Sequence, residues 1–248
     1  MKRTQRRSNT PRELKAIDRT RNPKAQQFPS FPPKTENQKY FVESLEYDSI
    51  AIAAGCAGTG KTVLSIHKAA QKLYTGKIKK IVLIRAYQPL AGRSIGFLPG
   101  ELEEKLLPYY RQMIDYLEDF LGKSFVEIHM KDKSIEICSL ETIRGRSWDD
   151  TVVVVDESQN LYPEEIQALV TRIGQGSQMY LIGDDSGIQT DIKNSVEGLS
   201  YLLGIVEKYN IPDVGITYFG YDDILRSPIT KSFVIAFDKE LQEKKGLQ

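Results

Sequence analysis

The sequence predicts an α/β protein, a mainly parallel sheet with helices on both faces, and three observations predict it. Short runs such as Ile81–Ile84 (IVLI) and Val152–Val155 (VVVV) are apolar at every position and too short for helices. Such runs fit strands buried on both faces, as in a parallel sheet. Stretches with apolar residues at helical spacing lie between them. A glycine-rich segment joins one such run directly to a helical pattern.

In chain order, Ser49–Ala54 (SIAIAA) reads as the first strand and ends at a glycine. Thr62–Leu73 repeats apolar residues with a helical period, and Ile81–Ile84 is the next strand. Gly100–Leu121 reads as a helix. Ser124–Met130 and Ser134–Ser139 read as a small hairpin closed across Lys131–Lys133. Val152–Val155 is a strand, and Pro163–Ile173 a helix whose Pro163 and Glu164 suit a first turn. Met179–Ile182 and Ile216–Phe219 are further strands on either side of a helical Val196–Tyr209. Strands alternating with helices give a doubly wound sheet.

Composition narrows the class. The 248 residues carry 34 Lys+Arg against 33 Asp+Glu, are 40 % hydrophobic and 27 % charged, and suit one large domain or one domain with extensions. No apolar run approaches the roughly 20 residues that span a bilayer, and no N-terminal stretch reads as a signal peptide. Cys56 and Cys138 cannot build a disulfide framework or a four-ligand zinc site. The expectation is a soluble cytoplasmic protein without a membrane partner. Residues 1–25 nonetheless carry nine basic and two acidic side chains, a net of +7, so the remainder of a chain of net charge +1 stands at −6. With Pro11, Pro23, Pro29, Pro32 and Pro33, residues 1–33 read as an extended or disordered lead-in to a folded domain over 34–248. This segment is either a nucleic-acid arm or a solvated tail.

Gly55-Cys56-Ala57-Gly58-Thr59-Gly60-Lys61-Thr62 fits G-x-x-x-x-G-K-[ST], between a buried strand and an amphipathic helix that continues through Val63. Its glycines let backbone N–H groups converge on phosphate oxygens at a helix N-terminus. Lys61 is placed to reach the outer phosphates, and the Thr62 hydroxyl to ligate Mg2+. Asp156 and Glu157 end the VVVV strand, at the sheet edge that faces such a loop. Asp156 suits the metal and Glu157 the attacking water, which favours hydrolysis. Met179–Gly183 ends in Asp184, and Asp184 or Gln189 reads as a γ-phosphate sensor, or else as part of a simple acidic loop.

The order of phosphate loop, D-E-S-Q-N, and G-D before a glutamine resembles that of superfamily 1 helicase-type ATPases. More narrowly, the chain is similar to the PhoH family. Phe97–Leu102, Ile143–Trp148, Asp156–Asn160, Thr171–Gly174 and Asp223–Pro228 carry the likeness, which covers about residues 34–238. The resemblance implies a single RecA-like core that binds ATP, hydrolyses it with Mg2+, and is linked to RNA or single-stranded nucleic acid. It implies that Gln38 reads the adenine edge, that Gln159 meets the γ-phosphate or the attacking water, and that Arg85 contacts nucleic acid. Two departures stand out: Gln189 lies five residues after Asp184 rather than three, and Ser158 replaces the commoner alanine.

Phosphoryl transfer gains from an arginine that neutralises developing charge, often one supplied by another domain or subunit. About 205 residues suffice for one core, so either hydrolysis is slow or a neighbouring copy donates the arginine. The expectation is a homo-oligomeric ring, such as a hexamer, in which Arg172 or Arg226 acts across an interface, the alternative for each being an intramolecular salt bridge. Arg93, Arg144 and Arg146 either line a nucleic-acid path or make structural salt bridges. Two other classes use the same loop. One is a nucleotide-gated binding or scaffold protein with little turnover, and the other a small-molecule kinase.

Overall fold

The computed structural model describes residues 27–86, 102–143, 145–184 and 197–246. The chain divides into Met1–Ser30, of which residues 27–30 are described and have no regular structure, and Phe31–Gln248, which holds every element below. Gly58, Lys61 and the rest of the phosphate loop are thus all visible, whereas Arg93, Arg144 and Gln189 lie outside the described residues.

Six strands form one sheet: β1 (Ile50–Gly55), β2 (Lys80–Arg85), β3 (Ile135–Ile137), β4 (Thr151–Asp156), β5 (Gln178–Gly183) and β6 (Val214–Phe219). Their order is β3-β2-β4-β5-β1-β6 and every pairing is parallel. All six residues of β4 are buried, as a central strand covered on both faces requires. Ile52, Val82, Val153, Val155 and Leu181 pack on one side with Ile166, Leu169, Leu199 and Leu203. These last four come from α5 (Pro163–Val170) and α6 (Gly198–Tyr209). β1, β4 and β5 are neighbours, so the loops at their carboxyl ends meet, and ligands of open α/β sheets bind at such ends.

The other helices of the described residues are α1 (Glu36–Tyr47), α2 (Lys61–Tyr74), α3 (Leu102–Leu121), α4 (Lys123–Lys131) and α7 (Pro228–Gly246). α1 starts at Thr35, whose hydroxyl accepts the Gln38 N–H, and buries Phe41 and Leu45. Phe41 meets Phe219 of β6 edge to face, 5.8 Å between centroids.

One element differs in kind from expectation. Lys123–Lys131 is helical, not the first arm of a hairpin, and β3 pairs parallel to β2. Phe125, Val126 and Ile128 favour strands, but Val126 and His129 lie one helical turn apart and are both buried. Packing of that face, with the His129 ring 3.9 Å from that of Phe125, overrides propensity. α5 also stops at Val170 rather than Ile173. The Trp148 N–H donates to the Arg172 carbonyl and the Gly174 N–H to that of Trp148, which draws the chain into a bridge between Trp148 and Ile173. Trp148 is buried and is a packing residue.

Candidate nucleotide site

The turn from β1 into α2 is held by backbone approach. A Cβ on Gly55, whose φ is +117°, would fall 2.1 Å from the Phe219 carbonyl oxygen, so β6 closes on the loop as tightly as glycine allows. The Cys56 N–H donates to that same carbonyl at 3.1 Å. The Lys61 ammonium donates to the carbonyls of Gly55 and Cys56, each at 2.6 Å, and lies 3.3 Å from the Thr59 hydroxyl. Burial pulls its pKa down, against the nearby charges of Asp184, Asp156 and Glu157. Phosphate oxygens beside it would favour its charged form further.

Across the edge of the sheet, the Thr62 hydroxyl donates to Asp156 Oδ1 at 3.2 Å. Burial, then the charge of Glu157, push the Asp156 carboxyl up to about 6. A hydroxyl and a buried carboxylate side by side are the hard oxygen donors that Mg2+ takes when it shares a site with phosphates. The residues therefore fit Mg2+, which Thr62 and Asp156 would hold.

Glu157 leaves β4 in the left-handed region, φ 56° and ψ 38°, and begins a 3-10 turn over Ser158–Asn160. Non-glycine residues held there cluster at functional sites. Arg85 Nη2 lies 3.3 Å from Glu157 Oε1, and Gln159 Nε2 donates to Oε2 at 2.7 Å. Gln159 Oε1 accepts the Asp184 N–H at 3.1 Å, so this buried glutamine ties the β4 turn to the end of β5. A Cβ on Gly183 would collide with both Gln159 Oε1 and Ser158 Oγ, each at 2.8 Å. Ser158 is buried and donates to the Ile182 carbonyl at 2.8 Å, so the departure from alanine adds a hydrogen bond.

These groups line one cavity of about 570 Å3, within the usual size of ligand pockets. Gly55, Ala57 to Val63, Asp156, Glu157 and Asp184 all line it, as do Leu225 and Arg226. Arg226 packs on the phosphate loop of its own chain: a Cβ on Gly58 would fall 2.8 Å from its Cγ, and the Leu225 N–H donates to the Gly58 carbonyl.

The family model described as PhoH-like protein matches residues 30–238. The chain belongs to the PhoH family. It is 38 % identical over 208 residues to a PhoH-like protein of Bacillus subtilis, covering 84 % of this chain and 64 % of that one. To Protein PhoH of Escherichia coli it is 32 % identical over 207 residues, covering 82 % and 57 %. The chain thus spans less than two thirds of the length of these relatives. In three dimensions it resembles the large terminase of a thermophilic bacteriophage, with a TM-score of 0.51 and 14 % identity over 81 % of this chain and 49 % of that one. That likeness is one of fold alone, a RecA-like parallel sheet.

The remaining PhoH segments take distinct places. Gln38 is buried against the phosphate loop: its Nε2 donates to the Thr59 carbonyl at 2.8 Å and its Oε1 accepts the Lys34 N–H at 2.7 Å. Its amide braces the loop. Arg172 stands beside Trp148, ahead of β4 and β5, at the sheet edge opposite the phosphate loop. Arg146 pairs with Glu136 at 2.7 Å, and Glu136 also holds Lys80 at 2.5 Å. Two features escaped the sequence reading. Gln112 and Tyr116, one turn apart on α3, line the cavity, and Asp223 gathers Thr35, Asn37 and the Gly220 N–H around one buried carboxylate. For the first, polar residues at i and i+4 on a helix rich in charged residues gave little signal. For the second, residues nearly two hundred positions apart gave none.

Proposed function

We propose that this PhoH-family chain binds ATP with Mg2+ and hydrolyses it, and that the cycle is coupled to RNA or single-stranded nucleic acid. One observation carries the reading: Lys61, the Thr62–Asp156 pair and Glu157 converge on a single cavity at the carboxyl edge of the sheet. Loop N–H groups and Lys61 hold the phosphates, and Thr62 and Asp156 hold Mg2+. That ion, when bound, neutralises phosphate charge. Glu157, the next carboxylate along, takes the proton of the attacking water. Asp184 stands at the end of β5 on the same cavity wall, where it registers the outer phosphate.

The two arginines divide by position. Arg226 lies on its own chain's loop and acts within the subunit. Arg172, at the far edge of the sheet, reaches a phosphate loop only in a neighbouring copy. A homo-oligomeric ring is the arrangement that supplies it, and the exposed Ile229, Phe233 and Phe237, one turn apart along α7, offer an apolar stripe for such contacts.

Steady-state ATP hydrolysis with and without single-stranded RNA tests the reading. Lys61→Ala is expected to abolish nucleotide binding or turnover, and hydrolysis at the wild-type rate would overturn the site assignment. ATP binding without turnover, RNA present or absent, would leave a nucleotide-gated binding protein.

A further inference from the structure

Glu157 is useful as a base only if its carboxylate is aimed, and the structure shows what aims it. β2 and β4 pair so that Arg85 stands opposite Asp156, which sets the arginine side chain next to the following residue, Glu157. The guanidinium is forked. Nη2 faces Glu157 Oε1 at 3.3 Å, while Nη1 donates to the Tyr109 carbonyl of α3 at 2.9 Å. The Arg85 backbone is pinned as well: its N–H donates at 3.0 Å to the Tyr110 hydroxyl, which itself donates to the Cys138 carbonyl at 3.1 Å. Burial holds that hydroxyl protonated by pushing its pKa up to about 12.

We infer that Arg85 is a positioning residue for ATP hydrolysis, one that fixes the Glu157 carboxylate between its own guanidinium and the Gln159 amide. The inference rests on the hydrolytic reading above and replaces the nucleic-acid contact that resemblance implies for Arg85. Among the described residues, each Glu157 oxygen has one donor, from Arg85 or Gln159, and keeps lone pairs for water. A carboxylate held from both sides has little orientation left to lose at the transition state. An arginine whose charge is paired with a carboxylate and whose fork is anchored on α3 is a poor contact for a polynucleotide phosphate.

The test measures kcat and KM for ATP, and the affinity for Mg-ADP, in the full chain carrying Arg85→Ala, Arg85→Lys, Glu157→Gln, and Arg85→Ala with Glu157→Gln. Arg85→Ala is expected to lower kcat on the order of 10- to 100-fold with KM and Mg-ADP affinity within about twofold, as for lost orientation of a catalytic group. Arg85→Lys, which keeps the charge without the fork, is expected to fall between, and it serves if the alanine variant does not fold. In single-turnover measurements, Arg85→Ala should change the residual rate of Glu157→Gln by less than about twofold, because both act through one carboxylate. Equal losses in the two backgrounds would mark a structural role and overturn the inference. So would an unchanged or increased kcat, and an unchanged kcat with weakened RNA binding would return Arg85 to nucleic acid. If Glu157→Gln itself hydrolyses ATP at the wild-type rate, the hydrolytic reading fails. If Glu157→Gln is inactive while Arg85→Ala is fully active, the inference about Arg85 alone fails.

Discussion

Asp156 sits where stability and chemistry oppose each other. Its carboxyl is pushed from the ordinary 3.8 to about 6 by burial and by Glu157, so the folded chain holds this proton more tightly than the unfolded one. For an acid raised in this way, the group costs nothing below about pH 4, the cost grows as pH climbs toward 6, and all of it remains above. Asp156→Asn carries no charge at any of these pH values. Without nucleotide or divalent cation, it is expected to be more stable than wild type at pH 7.5 by on the order of 2–3 kcal/mol. At pH 4 the two proteins should match. Denaturant unfolding at the two pH values checks this, and a less stable variant at pH 7.5 would contradict it. The same substitution is expected to abolish Mg2+-dependent hydrolysis, because an amide replaces the anionic ligand. Ser158 poses a smaller version of the question. Ser158→Ala leaves the Ile182 carbonyl without its donor, at a cost of about 1 kcal/mol read in the same unfolding experiment.

At the scale of elements, α1 is tied down at its first turn. Thr35 accepts the Gln38 N–H and donates to Asp223, so Thr35→Ala removes a cap and a buried carboxylate's partner together. The expected loss is about 1–2 kcal/mol, with a lower thermal midpoint that Mg-ADP partly restores. Strands with apolar residues at every position announced themselves in the sequence, since four valines in a row are β-branched and too short a run for a helix. The loop and the Asp156–Glu157 pair were legible for a related reason: glycine spacing and a carboxylate at a strand's end are local signals. α4 was not legible, because its strand-loving side chains are overruled by packing between distant segments. Nor was the contact of the Gln38 amide with the Thr59 carbonyl, which joins segments 21 residues apart. The contact of Arg85 with Glu157 was not legible for the same reason, since the register that sets the two side by side belongs to the sheet.

For the whole molecule, the two arginines make a prediction about assembly. Arg172→Ala should bind Mg-ADP normally yet hydrolyse ATP poorly, while Lys61→Ala should do neither. Mixing the two inactive proteins is expected to restore part of the activity, because a Lys61→Ala subunit can lend Arg172 to a neighbour whose own loop is intact. Mixtures as inactive as their components would assign Arg172 to its own subunit's structure. Parallel topology has a further consequence, for the chain as it leaves the ribosome. β1, which delivers the phosphate loop, lies between β5 and β6, with Ile50 beside Met179 on one side and Val214 on the other. Those neighbours are translated more than a hundred residues later, and such long-range pairing is slow to form. Until they arrive, an apolar strand waits unpaired and the loop lacks the Phe219 carbonyl that shapes it. A ribosome stalled before β6 would carry the whole phosphate-binding signature and no nucleotide pocket.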